Sequence, residues 1–254
     1  MSGRPRPVLA DLHVHTVLSP CAEVEMIPPL IVRRAARLGL GLIAVTDHNA
    51  ALNAAALIAA AEETGLRVLP GLELQTREEV HLLCLFGALE SCLAWQKEVF
   101  GRLPALANRE EHFGPQYVVD ATGDWLRTEE RLLAVSAEIA LDEAIDRVHA
   151  LGGLAIPAHV DRPAFSLLAN LGLIPAGLAA DALEVTGRFR PETGLKQWPG
   201  LQGWPLVVGG DAHRLSEMQS RTLLKIAEPT LEELRLALRG EEGRKVSVDW
   251  GNTD

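Results

Sequence analysis

No run of lysine or arginine long enough to track a phosphate backbone appears in this chain, whose net charge is −10 with a pI near 5.3. A long nucleic-acid partner is therefore not expected, although a small anion held by a local cationic site is compatible with the sequence. Cysteine is scarce and odd in number. Cys21, Cys84 and Cys92 make no disulfide framework, and a chain of this size needs none, which suits a reducing, cytoplasmic compartment. No apolar segment of signal-peptide length precedes the first strand-like run, and no uninterrupted apolar stretch reaches the length of a bilayer span, so no membrane partner is expected. Internal repeats and low-complexity tracts are absent as well.

What is present is enough apolar material for one large core: 254 residues at 48% hydrophobic content, which predicts a single domain over 1–254. Short apolar runs that read as strands alternate with segments of helical spacing. Val8 to His13 precedes a helix from Ile27 to Leu38, where Pro28 and Pro29 fit a first turn and Gly39 a stop. Leu42 to Thr46 precedes the Ala-rich Ala50 to Thr64, with Asn49 able to cap it. Arg67 to Glu73 and Val80 to Leu85 read as further strands, then Leu89 to Arg102 as a helix. A helix from Ala137 to Leu151, strands at Leu154 to Pro157, Ala182 to Val185 and Leu206 to Val208, and a capping box from Thr230 to Glu233 opening a helix that ends at Gly240 complete the series. Leu103 to Thr128 is irregular, with one short strand expected at Gln116 to Val119; it is either a lid or substrate-facing loop, or it contains further elements. The alternation predicts a parallel α/β fold, and units of similar length favour a closed barrel, where functional groups sit at strand C-termini.

Six of the eight histidines fall at the ends of these strand-like runs. His13 and His15, two apart in extended backbone, project from one face and can share a metal. In Thr46-Asp47-His48-Asn49, His48 can face the same rim while Asp47 supports a ligand from behind or caps the next helix. Glu73 closes the third run and His81 opens the fourth; a carboxylate can bridge two cations and neutralise part of their charge, so Glu73 is the natural bridging group. His159 ends the Ala155 to Ala158 run, and Gly209-Gly210-Asp211-Ala212-His213 sets a carboxylate and an imidazole to one side of another. Arg162 and Arg214, beside the last two motifs, can grip phosphate through bidentate guanidinium contacts, with Arg127 and Arg188 as lesser candidates. His149, near a helix C-terminus, reads as structural, and His112 stays outside the pattern.

Taken together and in this order, these motifs resemble the PHP family, the polymerase and histidinol phosphatase domain, over about residues 8–215. The resemblance implies a distorted (β/α)7 barrel with two or three divalent metal ions, zinc, manganese or iron, at the strand C-termini. It implies one metal on His13, His15, Glu73 and Asp211, a second on Glu73, His81 and His159, and a third on His48 and His213. Where three-metal members carry a further histidine or aspartate, this chain has Cys21, which could supply a thiolate and would favour zinc.

The activity implied is that of a metal-dependent phosphoesterase acting by metal-activated hydroxide on a small phosphorylated molecule, monoester or diester, with Glu73, Asp211 and His213 as its catalytic residues. Two other readings stay open. Metal-dependent amidohydrolases that cleave C–N bonds also place His-x-His on a first strand, and a domain of this type can persist as a non-catalytic binding or structural module.

Overall fold

A computed structural model describes residues 3–251; positions 1–2 and 252–254 of the expected domain lie outside the described residues. Along the chain run β1 (Arg6–Val14), α1 (Pro28–Leu38), β2 (Leu40–Val45), α2 (Ala54–Ala61), β3 (Arg67–Gln75), β4 (His81–Leu85), α3 (Leu89–Arg102), α4 (Glu110–Phe113), β5 (Tyr117–Val119) and β6 (Trp125–Thr128). There follow α5 (Leu141–Ala150), β7 (Leu154–Pro157), α6 (Leu167–Asn170), β8 (Leu183–Glu184), α7 (Pro191–Gln197), β9 (Leu206–Val207), β10 (Thr222–Ile226), α8 (Leu231–Arg239) and β11 (Lys245–Val248).

The local signals act as sequence chemistry requires. Pro28 opens α1 where a missing N–H costs nothing, and Gly39 ends it in left-handed backbone. Ile31, Val32 and Ala35 form its buried stripe. Thr230 caps α8 by accepting the Glu233 N–H. Helix α2, in contrast, starts at Ala54 instead of Ala50, because Asn49 and Asn53 are engaged elsewhere. Asn49 donates to the carbonyls of Leu133 and Val135, and Asn53 donates to Thr16 and Tyr117.

The expected distorted barrel forms, and its core sheet is a curled half-barrel of seven strands in the order β11-β10-β1-β2-β3-β4-β7. Strands β1, β2 and β3 are parallel, but β4 runs antiparallel to both β3 and β7. The strictly parallel pattern fails there because only five residues separate β3 from β4, too few for a crossover helix, and it fails again at β10, which runs antiparallel to both β1 and β11. The other wall is the parallel pair β8 and β9. Asp181 N–H to Ala155 O (2.9 Å) and Val160 N–H to Glu184 O (2.8 Å) join it to β7. A bridge between Ala212 and Val14 joins it to β1, on the half of the β1 edge that β10 leaves free.

One apolar cluster fills this ring. Ala10, Leu12, Leu42, Ala44, Leu69, Leu83, Ile156, Ala182 and Val207 come from strands or their flanks around it, and Leu231, Leu234 and Leu238 of α8 join them. A larger cluster, including Ile31, Leu57, Trp95 and Ile145, packs the outer helices against the sheet. The irregular stretch 103–128 contains the expected short strand as β5 and two further elements, α4 and β6; β5 and β6 form a hairpin that packs beside the loop after β1 through Tyr117 N–H to Val17 O.

Gly71 sits where β3 is squeezed between β2 and β4. A Cβ there would lie 2.7 Å from Cys84 O and 3.1 Å from Val45 O. Both are backbone atoms of paired strands and cannot turn aside, so Gly71→Ala should destabilise the fold by about 1–3 kcal/mol. A lowered urea midpoint with unchanged slope would show it, and an unchanged midpoint would mean the barrel wall gives more than this packing allows.

Candidate active site

The barrel brings the strand C-termini to one rim, and β4, running the other way, brings its first residue there. That is why His81, at a strand start, belongs with residues at strand ends. The loops after β1, β2, β7 and β9 supply His15, His48, His159, Asp211 and His213. His159 (φ +31°) and Asp211 (φ +45°) adopt left-handed backbone, which costs non-glycine residues about 1–3 kcal/mol each.

Glu73 lies at the centre, 1% exposed. Its Oε1 is 2.8 Å from His81 Nδ1, 3.2 Å from His13 Nε2 and 3.3 Å from His159 Nε2. Its Oε2 is 2.8 Å from His48 Nδ1 and 3.5 Å from His15 Nε2. Despite the short approach of His48, Oε2 has no hydrogen bond among the described residues, so oxygen and nitrogen point at a common space and not at each other. Asp211 Oδ1 completes the set, 3.4 Å from His13 Nε2 and 3.5 Å from His15 Nε2.

Three groups of converging donor atoms result: His13, His15, Glu73 and Asp211; His48, Glu73 and His81; and His15, His48 and His213. The first has the membership expected from sequence. The second takes His48, while His159 stands at its edge with Nε2 on Glu73 and a buried Nδ1 that has no partner among the described residues. The third gains His15. Cys21 Sγ lies 3.3 Å from His48 Nε2, on an exposed residue beside that group.

These residues fit divalent cations. Ser19 Oγ donates to Asp47 (2.7 Å), so it meets His15 Nδ1 (2.9 Å) as an acceptor and leaves Nε2 of His15 without its hydrogen. That nitrogen faces His13 Nε2 at 3.1 Å, and two bare lone pairs at this distance repel unless a cation or a proton lies between them. Asp47 holds the loop rather than capping α2: it accepts from Thr16 N–H, Thr16 Oγ and Ser19 Oγ.

Charge among the side chains of the cluster is shared unevenly. Burial opposes ionisation of Glu73 and Asp211, but the surrounding imidazoles, His81 for Glu73 and His13 for Asp211 foremost, hold both well below the usual carboxylate range. Burial likewise opposes charging of His13 and His48, yet nearby carboxylates, Glu184 for His13 and Glu73 for His48, raise both. His15 is lowered, by burial and then by His213. For Cys21 burial works upward, and contacts with His213 and His48 overcome it, bringing the thiol down to about 6. Asp11, within β1, is pushed up to about 7 by burial, which outweighs three backbone N–H donors, that of Gln219 foremost.

Two hollows open from the cluster. One of about 460 Å³ is lined by Cys21, His48, His81, Phe165 and His213. The other, about 830 Å³, is lined by His159, Glu184, Arg188 and Arg221. Arg162 and Asp211 line both and are hydrogen-bonded to each other. Arg214 also lines the smaller hollow, with its guanidinium paired to Glu23 at 2.7 Å. Arg127 pairs with Glu129 (3.1 Å), His149 with Asp181 (2.7 Å), and His112 is exposed; none of the three touches the cluster. Sequence reasoning missed Glu184, which meets His13, and Ser19. The signal for Glu184 was present, since it ends another apolar run, Ala182-Leu183-Glu184, at the same rim.

Comparison with known proteins places this site. The PHP domain model matches residues 11–168, and no curated protein matches the chain. Among solved structures, the lesion-specific endonuclease Q of Pyrococcus furiosus is similar with a TM-score of 0.74 at 20% identity, over 95% of this chain and 58% of that one. An endonuclease Q complex with a 27-mer duplex carrying an abasic lesion has a TM-score of 0.70 at 19% identity, over 94% and 58%. A Bifidobacterium adolescentis protein provisionally named a metal-dependent phosphoesterase has 0.56 at 19%, over 83% and 90%. The chain thus spans under two thirds of the endonuclease's length.

The exclusion of a long nucleic-acid partner is corrected by this likeness, because a DNA-cleaving protein carries the same fold over nearly the whole of this chain. Net charge and the lack of a basic run do not decide the point, because Arg162, Arg188 and Arg221, dispersed in sequence, line one hollow together with Asp161, Glu184, Asp211 and Glu217. Among the described residues no helix is long and apolar enough to cross a membrane. With a family match over more than half its length, and with that family's motifs gathered at one barrel rim, the chain belongs to the PHP domain family.

Proposed function

We propose that this protein is a metal-dependent phosphoesterase whose substrates include nucleic-acid phosphodiesters. The observation that carries the reading is the convergence of His13, His15, His48, His81 and His159 on the two oxygens of one buried carboxylate, Glu73. Surrounding imidazoles with no cation among them would be a costly arrangement. Two or three divalent ions held by the three donor groups would supply Lewis acidity and a water acidic enough to ionise near neutral pH.

The protein's own residues do the rest. Glu73 shares its two oxygens between donor groups and offsets their positive charge. Asp211 gives Oδ1 to the first group and Oδ2 to Arg162, which keeps the guanidinium at the mouth of both hollows, where it can bind phosphoryl oxygens. His213, the outermost imidazole with its side chain 20% exposed, lines the smaller hollow, from which it could meet a leaving group. Arg188 and Arg221, farther along the large hollow, suit the flanking phosphates of a strand, which favours an extended substrate.

Protein purified without chelator should carry at least two divalent ions per chain and cleave a phosphodiester, whether bis(p-nitrophenyl) phosphate or an abasic-site duplex. EDTA and Glu73→Gln should each abolish both properties. A folded protein that takes up neither zinc nor manganese would sink the proposal, and hydrolysis of C–N bonds without any phosphoester cleavage would turn it toward amidohydrolase chemistry.

Arg162→Ala should raise KM for the diester by roughly 10-fold or more, the usual worth of a charge-assisted hydrogen bond, with metal content unchanged; unaltered kinetics would remove Arg162 from substrate binding. Cys21→Ser should weaken zinc more than manganese, since only the soft ion gains from the thiolate. Equal retention of both metals would show that Cys21 is a bystander.

A further inference from the structure

Glu184 sits just behind the first donor group and is 1% exposed. Its Oε2 lies 2.9 Å from His13 Nδ1 and also accepts the backbone N–H of His159 at 3.0 Å. Its Oε1 is buried with no hydrogen-bond partner among the described residues. The space for the carboxylate exists only because residue 209 is glycine: a Cβ there would stand 2.2 Å from Glu184 Oε1 and 2.7 Å from His13 Cβ.

From this geometry we infer that Glu184 is the positioning residue of the site, which fixes the His13 ring with Nδ1 protonated and Nε2 bare toward Glu73 and Asp211. Oε2 meets an obligate donor in the His159 N–H and so faces His13 as an acceptor, which requires the hydrogen on Nδ1. A metal-binding imidazole needs this arrangement, because the hydrogen bond on one nitrogen sets which nitrogen binds and raises its basicity. The same carboxylate ties the loop of His159 to the strand of His13, so two residues on either side of Glu73 keep their spacing through one group. A merely structural acid would be expected to satisfy both of its oxygens in the fold; Glu184 leaves Oε1 without a partner among the described residues. His15 shows the same principle by a neutral route, with Ser19 accepting from Nδ1 and Asp47 behind it.

The inference rests on the metal-dependent reading of the site, and the test separates the two. Zinc uptake is measured by titration with a competing chelator on the full chain, wild type against Glu184→Gln and Glu184→Asp, with a thermal melt as the control for folding. The Asp variant keeps the charge but is a methylene too short to reach His13, so it carries the test if the Gln variant does not fold. Both should lose about 10–100-fold in affinity for the zinc ion on His13, the usual effect of removing a group that orients a ligand, with the remaining zinc bound as before.

In the zinc-loaded wild type, ¹⁵N-edited NMR should show a slowly exchanging proton on His13 Nδ1 that is lost or exchanges fast in Glu184→Asp. In a His13→Ala background, Glu184→Gln should cost no further affinity, since the two act as one unit. Folded variants that bind zinc as wild type does would overturn the role of Glu184 while leaving the metal site standing. Failure of the wild type to bind zinc would overturn both.

Discussion

Everything at this site depends on one buried carboxylate that five imidazoles approach. Glu73 lies near the end of β3, in the middle of a sheet whose strands on both sides end or begin with histidine, and its oxygens lie within 3.5 Å of nitrogens from four different segments of the chain. In a low-dielectric interior such a group is stable only with compensating positive charge. Nearby carboxylates raise the proton affinity of His13 and His48 against burial, while burial lowers that of His15 and His81. Divalent ions would supply the charge from a single source, and Oε2 of Glu73 and Nδ1 of His159 are buried without a hydrogen-bond partner among the described residues.

The fold serves this constraint by packing apolar side chains into the ring below the rim and releasing polar ones at its top. Leu12 and Leu42 fill the ring, while His13 and His15 and, past the end of β2, His48 turn into the cluster. Left-handed backbone at His159 and Asp211 is where the rim departs from regular geometry, and its cost is borne by the packing beneath. Behind the donor atoms a row of acceptors holds the rings: Glu184 behind His13, and Ser19 with Asp47 behind His15.

Much of this was legible in the sequence because it is local. Strand-like runs with His or a carboxylate at their ends located eight of the residues that the structure gathers, and Pro28, Gly39, Thr230 and Gly240 marked helix ends where they occur. What was not legible depends on tertiary pairing. The antiparallel course of β4 follows from a short turn, the second donor group draws His48 from across the rim, and Glu184 looks like any strand-end acid until the barrel closes and sets it against His13. The arginines of the large hollow were hidden for the same reason, since Arg162, Arg188 and Arg221 come to line it, beside Asp161, Glu184, Asp211 and Glu217, only in three dimensions. Net charge and the absence of a basic run therefore do not exclude a nucleic-acid partner.

The central claim is that Glu73 is a shared metal ligand and not a hydrogen-bonded core acid. Anomalous scattering from crystals grown with zinc or manganese tests it most directly. The account predicts peaks on both sides of Glu73, one among His13, His15 and Asp211 and one beside His48 and His81. Crystals in which the cluster shows no peak at either edge, with the imidazoles still closed on Glu73, would contradict it.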